Sequence, residues 1–148
     1  NYLTDGDMES ANAALGSPYF ITGGVLRGRG VGKKLGFPTL NLPYPRGRVK
    51  LKHGVYRCAV LARDEIYNAV TNVGVCPTFD LKESVIEAHL IDFSGDLYGR
   101  EVKIYFLGYL REERKFDSPE ALTEQIATDT KRTIEENGEK TWQEFGLN

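Results

Sequence analysis

Four glycines, Gly28, Gly30, Gly32 and Gly36, are interleaved with Arg29, Lys33 and Lys34 in a segment that ends Phe37-Pro38-Thr39-Leu40-Asn41. Glycine lets a backbone take dihedrals closed to other residues and approach a ligand closely. Successive N–H groups in such a loop, with basic side chains beside them, suit phosphate oxygens. The spacing matches neither familiar phosphate loop. Counted from Gly28, the Gly32-Lys33 pair comes one residue early for a Walker loop, and Lys34 stands where Ser or Thr would ligate magnesium. A dinucleotide fingerprint fails on spacing and for want of a following βαβ unit. On these residues alone, a flexible hairpin loop reads as well as a phosphate cradle. If residues 39–42 are extended, Thr39 and Asn41 face the same side. Their hydroxyl and amide oxygens then suit a hard cation such as Mg²⁺. The plainer alternative is a strand-forming Thr and a turn-forming Asn ahead of Pro43.

These residues need elements to hold them. Period-2 patterning marks strands at 19–26, 54–62, 67–73, 85–92 and 101–107. Tyr56, Cys58, Val60 and Ala62 share one face; so do Ile86, Ala88 and Leu90, and Val102, Ile104 and Phe106. Closely spaced strands without intervening helices argue for an antiparallel barrel or sandwich, not a βαβ fold. A helix follows, with Ser118 as N-cap, Pro119 in the first turn, an apolar stripe of Leu122, Ile126 and Ile134, and a stop at Asn137-Gly138. Trp142 and Phe145 read as core aromatics of a short last helix. Residues 1–18 read as a short helix or linker, stopped by Gly16-Ser17-Pro18.

Bulk properties set outer limits. A chain of 148 residues with 41% apolar and 27% charged residues fits one soluble domain. No apolar run nears the roughly 20 residues that cross a bilayer, and no signal peptide is visible, so a cytoplasmic protein without membrane partners is expected. The missing initiator Met suggests a fragment. Cys58 and Cys76 lack metal-ligand spacing and read as reduced, partly buried residues. Net charge is −2, yet Ser10 to Arg63 contains no Asp or Glu and ten Lys or Arg residues. That local positive field suits a phosphate-bearing ligand or a nucleic acid, or is simply a solvated basic face.

Gly-x-Gly-x-Gly-x-x-x-Gly-Phe-Pro-Thr-x-Asn resembles the signature of riboflavin kinases, including the kinase module of bacterial bifunctional riboflavin kinase/FMN adenylyltransferases (FAD synthetases). Leu40 stands where the usual core has Ala. Further matches follow in order: Asn72-Val73-Gly74-Val75-Cys76-Pro77-Thr78-Phe79, Ile86 to Phe93, Asp96-Leu97-Tyr98-Gly99, and Leu110 to Asp117. The resemblance implies a mostly β fold: a six-stranded antiparallel (Greek-key) β-barrel with a C-terminal α-helix. It implies Mg²⁺-dependent transfer of phosphate from ATP to the riboflavin 5′-hydroxyl, giving ADP and FMN. Carried over, Glu87 is the catalytic general base, and Gly28, Gly30, Gly32, Lys33, Thr39 and Asn41 bind nucleotide, with Thr39 the metal ligand. Arg111, Glu113 and Phe116 are the flavin candidates, since guanidinium and aromatic surfaces stack on such rings; a solvated charge cluster is the alternative for the segment's charged residues. His89 shares the Glu87 face and reads as structural. Residues 1–18 resemble the junction after an adenylyltransferase module, leaving 19–148 as the kinase domain. The module's nucleotide-binding His motif is absent, so this chain is expected to lack adenylyltransferase activity while its full-length protein carries that module.

Two rival readings stay in view. A basic barrel with an Arg-Gly run at 27–30 is compatible with single-stranded nucleic acid, although no nucleic-acid partner is expected. The other is a flavin-binding module without catalysis.

Overall fold

Alternating apolar residues dictate a sheet with one face turned inward, and the computed structural model has one. It describes residues 2–26, 39–75, 84–93 and 95–138. The expectations for Gly28, Gly30, Gly32 and Lys33, and for Cys76, Trp142 and Phe145, lie outside those residues. Two short helices, α1 (Tyr2–Asp5) and α2 (Met8–Leu15), precede β1 (Tyr19–Gly24), β2 (Thr39–Pro43), β3 (Gly54–Ala62), β4 (Glu65–Val75), β5 (Ser84–Leu90) and β6 (Glu101–Arg111); α3 (Pro119–Asn137) follows.

The six strands form one sheet in the order β1-β6-β3-β4-β5-β2, with antiparallel neighbours throughout. Strands β3, β4 and β5 are sequential neighbours, and β6 returns beside β3, which is a Greek key. The sheet curls so that its edge strands approach: Leu26 bridges Asn41, with its N–H 2.6 Å from the Asn41 carbonyl oxygen. The expected six-stranded antiparallel barrel with a C-terminal helix is therefore present, its seam closed by that single bridge among the described residues.

Each expected inward set is buried. Tyr56, Cys58 and Val60 share the interior with Ile86, Ala88, Ile104 and Phe106, all fully buried. Tyr56 packs edge-on to Phe106 with ring centroids 5.4 Å apart. Where β6 meets β3 the register shifts twice, at Val55/Tyr56 and at Arg57/Cys58. Such bulges re-aim side chains; Tyr109 packs on the interior cluster, and Arg111 pairs outside with α3.

Both longer helices sit on the barrel. Asp7 caps α2, accepting from the Ser10 N–H, and Gly16 ends it at φ 77°. Asn12 ties α2 to the sheet, donating to the Phe106 carbonyl and accepting from the Tyr19 N–H, both at 2.8 Å. Ser118 caps α3 through the Ala121 N–H, with Pro119 in its first turn. The apolar stripe expected along α3 holds only in part. Ile126 is buried, but Ile134 is 45% exposed. The buried positions Asp129, Thr133 and Asn137 are polar instead, because two of them bond to the barrel: Asn137 reaches Arg57 and Asn68, and Asp129 reaches Arg111. No described helix is long and apolar enough to cross a membrane.

Candidate active site on the outer wall of the barrel

Residues adjacent to inward ones on a strand point outward. Leu40 is buried in β2, so Thr39 and Asn41 share the outer face; Ala88 is buried in β5, so Glu87 and His89 do the same. Strand register then brings them together. Asn41 lies directly opposite Glu87, and Glu87 lies opposite Asn72 of β4. One row higher, Thr39 faces His89, which faces Val70. Side chains directly opposite have Cβ atoms about 5 Å apart. Three sequence-distant segments thus supply one compact polar surface. Thr39, Asn41 and Glu87, expected together, are together.

Two contacts organise this surface. Thr39 Oγ1 lies 2.9 Å from His89 Nδ1. His89 Nε2 faces Glu87 Oε1 at 3.9 Å, too long for a hydrogen bond. Glu87 keeps 39% of its side chain exposed, against 15% for His89. Burial holds the His89 imidazole down, from 6.5 to about 4, with the Asp129 charge acting weakly the other way. Asn72 Oδ1 is buried and has no hydrogen-bond partner among the described residues. A buried acceptor left open costs about 1–3 kcal/mol, and this one lies in the same row as Glu87 and Asn41.

The flavin candidates gather next to that row. Arg111, the last residue of β6, is held by Asp129 of α3: Nη2 donates to Oδ2 at 2.8 Å and Nε at 3.1 Å. Its guanidinium carbon lies 5.8 Å from the Phe116 ring centroid. Glu113 rests on the backbone of Gly74, two residues along β4 from Asn72; a Cβ built on Gly74 would overlap the Glu113 carboxylate. All three candidates therefore line the side where β4, β6 and α3 meet.

Part of the basic stretch has other employment. Arg48, Lys50, Lys52 and Arg63 lie over the rings of Tyr19, Tyr44, Tyr109 and Phe93, 4.5 to 5.1 Å from the centroids. Arg57 bonds Asn137 at 2.7 Å. These cations support packing away from the polar row. Sequence reasoning also missed two residues. Asp129 carries no motif, and Asn72 was seen only within a motif. His89, expected on the Glu87 face, lies there.

Sheet order, register and outer polar row define a small Greek-key barrel with an oxygen-lined surface site. Comparison with known proteins places it further. The model of the flavokinase family, described as riboflavin kinase, matches residues 15–136. A Bacillus subtilis bifunctional riboflavin kinase/FMN adenylyltransferase is 41% identical over 135 residues, 89% of this chain and 43% of that protein. The enzyme of the same name from Pseudomonas fluorescens is 42% identical over 131 residues, covering 87% and 42%. Among solved structures, a riboflavin kinase from Trypanosoma brucei superposes with a TM-score of 0.62 at 27% identity, covering 87% of this chain and 85% of that one. A Streptococcus pneumoniae structure described as a macrolide-efflux protein gives 0.82 at 34% identity, covering 89% and 43%. The chain belongs to the riboflavin kinase family. It spans less than half the length of the bacterial relatives it matches.

Proposed function

We propose that this chain is an ATP:riboflavin 5′-phosphotransferase, making FMN and ADP from riboflavin and ATP. The observation that carries this reading is the row Asn41–Glu87–Asn72 beside Thr39, in a chain of this family. The γ-phosphoryl group leaves ADP and bonds to the ribityl 5′ oxygen, whose proton goes to a base. Glu87 is that base: it is a carboxylate, half-exposed, and set between two amides. A positioned base of this kind contributes about 10²- to 10⁴-fold. Thr39 and Asn41 meet the nucleotide phosphates, with the glycines at 28, 30 and 32 and Lys33 as their partners in this reading.

Magnesium fits the donors present. Thr39 and Asn41 offer oxygen, which Mg²⁺ prefers. Among the described residues no cluster of three or more His, Cys, Asp and Glu could hold a metal alone, so the ion suits Thr39 only together with phosphate oxygens and water. When bound, it neutralises charge on the phosphates. Arg111, Glu113 and Phe116 take the flavin, whose planar ring suits the guanidinium–aromatic pair. Residues 1–18 serve as the linker to an adenylyltransferase module and 19–148 as the kinase domain, a division supported by the bifunctional relatives; no adenylyltransferase activity is assigned to this chain, and the cytoplasm is its proposed location.

Incubation with riboflavin, ATP and Mg²⁺, followed by chromatography of FMN and ADP, tests the reading. Formation of both in equal amounts is expected. Riboflavin binding with no FMN and no ADP would instead make the chain a flavin-binding module.

A further inference from the structure

We propose that His89 is a positioning residue that accepts the Thr39 hydroxyl proton at Nδ1 and thereby fixes the direction of the Thr39 oxygen lone pairs. The role of that oxygen rests on the function proposed above; the hydrogen bond itself does not. Distance gives the contact, 2.9 Å between Thr39 Oγ1 and His89 Nδ1. A hydroxyl can donate or accept, and a neutral imidazole has one nitrogen of each kind. The second ring nitrogen breaks the tie. Nε2 faces a Glu87 carboxylate oxygen at 3.9 Å. A proton on Nε2 is attracted to that oxygen, whereas a bare Nε2 would present a lone pair to an anion. Nε2 therefore carries the proton, Nδ1 is the acceptor, and Thr39 must donate.

The ring is well placed to hold this arrangement. Its side chain is only 15% exposed. Strand register wedges it between Thr39 on β2 and the buried Val70 on β4. A Thr hydroxyl in a strand otherwise rotates to suit its surroundings. Here its one proton is committed toward His89 on β5, so its lone pairs face away from the ring. For an oxygen that meets a cation, this is the productive orientation, and His89 acts on it through Thr39.

Two measurements test the assignment on the full chain. Long-range ¹⁵N–¹H NMR reads the His89 tautomer in the protein alone near pH 7.5; Nδ1 should be unprotonated and Nε2 protonated. Titration calorimetry with MgADP, and with ADP plus EDTA, then compares wild type, His89→Leu, His89→Asn, Thr39→Val and Thr39→Val/His89→Leu. His89→Leu should weaken MgADP binding by roughly tenfold or more, the usual effect of losing a group that orients a ligand, and change metal-free ADP binding little. The His89→Asn amide oxygen can stand in for Nδ1 and should restore most of the affinity. The double variant should bind MgADP no more weakly than Thr39→Val alone. A protonated Nδ1, or additive losses in the cycle, overturns the proposal; His89→Asn and the NMR reading decide it even if His89→Leu does not fold. A wild-type protein that makes no FMN but shows the expected tautomer and coupling overturns the kinase reading and leaves the Thr39–His89 assignment standing.

Discussion

Asp129→Ala should be among the most damaging substitutions in α3. Its side chain is 5% exposed and accepts from Arg111 Nη2 at 2.8 Å, from Arg111 Nε at 3.1 and 3.2 Å through both oxygens, and from Gln125 at 3.0 Å; the Arg111 side chain is itself 17% exposed. Alanine removes the anion and leaves the guanidinium half-buried, with the Glu112 carbonyl at 3.0 Å as its remaining hydrogen-bond acceptor among the described residues. Breaking a buried pair from one side costs about 3–5 kcal/mol, because the surviving charge has lost its compensation. That is a large share of the 5–15 kcal/mol typical of a domain. Urea unfolding followed by circular dichroism measures it. The sign of the double variant is the sharper test. Arg111→Met/Asp129→Leu removes both charges and fills the space, so it should recover most of the loss. If Asp129→Ala costs under about 1 kcal/mol, or if the double variant loses the sum of both single ones, the pair does not hold α3 to the barrel and the reasoning fails.

Glu87→Gln should lower kcat by about 10²- to 10⁴-fold while MgADP affinity, read by calorimetry, stays near wild type; unchanged turnover removes Glu87 from the base role. Acid should selectively weaken the fold through His89, whose folded-state value is depressed from 6.5 to about 4. Below about pH 6.5 the unfolded chain binds a proton that the folded one refuses, so this contribution is full above 6.5 and falls by about 3 kcal/mol as pH drops to 4. The stability difference between wild type and His89→Asn, followed from pH 7.5 to 4, should show that slope; because Glu87, Asp129 and Arg111 are common to both, a flat difference refutes it. Gly74→Ala should displace the Glu113 carboxylate that now occupies the Cβ position, raising the riboflavin KM several-fold with little change in the KM for ATP; equal effects on both would separate Glu113 from the flavin.

Strands were legible in the sequence because burial imposes a period of two. Tyr56, Cys58, Val60 and Ala62 were read as one face, and all are buried. The pattern failed where the backbone breaks its own period. Strand β6 was expected to end at Leu107 but runs to Arg111, since two register shifts against β3 scramble the alternation beyond Phe106. On the site side, Thr39 and Asn41 were linked by spacing alone. Their meeting with Glu87 depends on which strands pair and in what register, which local patterning does not encode; the resemblance supplied it. Asp129 was invisible for a different reason. An acidic residue midway along a helix looks solvent-facing until the helix has a barrel to lie on.

The interleaving of Leu40 with Thr39 and Asn41, and of Ala88 with Glu87 and His89, has an evolutionary side. Leu40, Leu42, Ile86, Ala88 and Leu90 answer to packing, and in the proposed function Thr39, Asn41, Glu87 and His89, which alternate with them, answer to chemistry. Selection for thermal tolerance can act on one set and selection for substrate preference on the other, with little interference through direct contact. A library restricted to the inward set should yield sturdier proteins with unaltered preference; one restricted to positions 39, 41, 72, 87 and 89 should yield altered catalysts of similar melting temperature. The price of this separation falls on Thr39 and Asn41, which ride on an edge strand, so the seam pairing Leu26 with Asn41 is where the two kinds of selection collide.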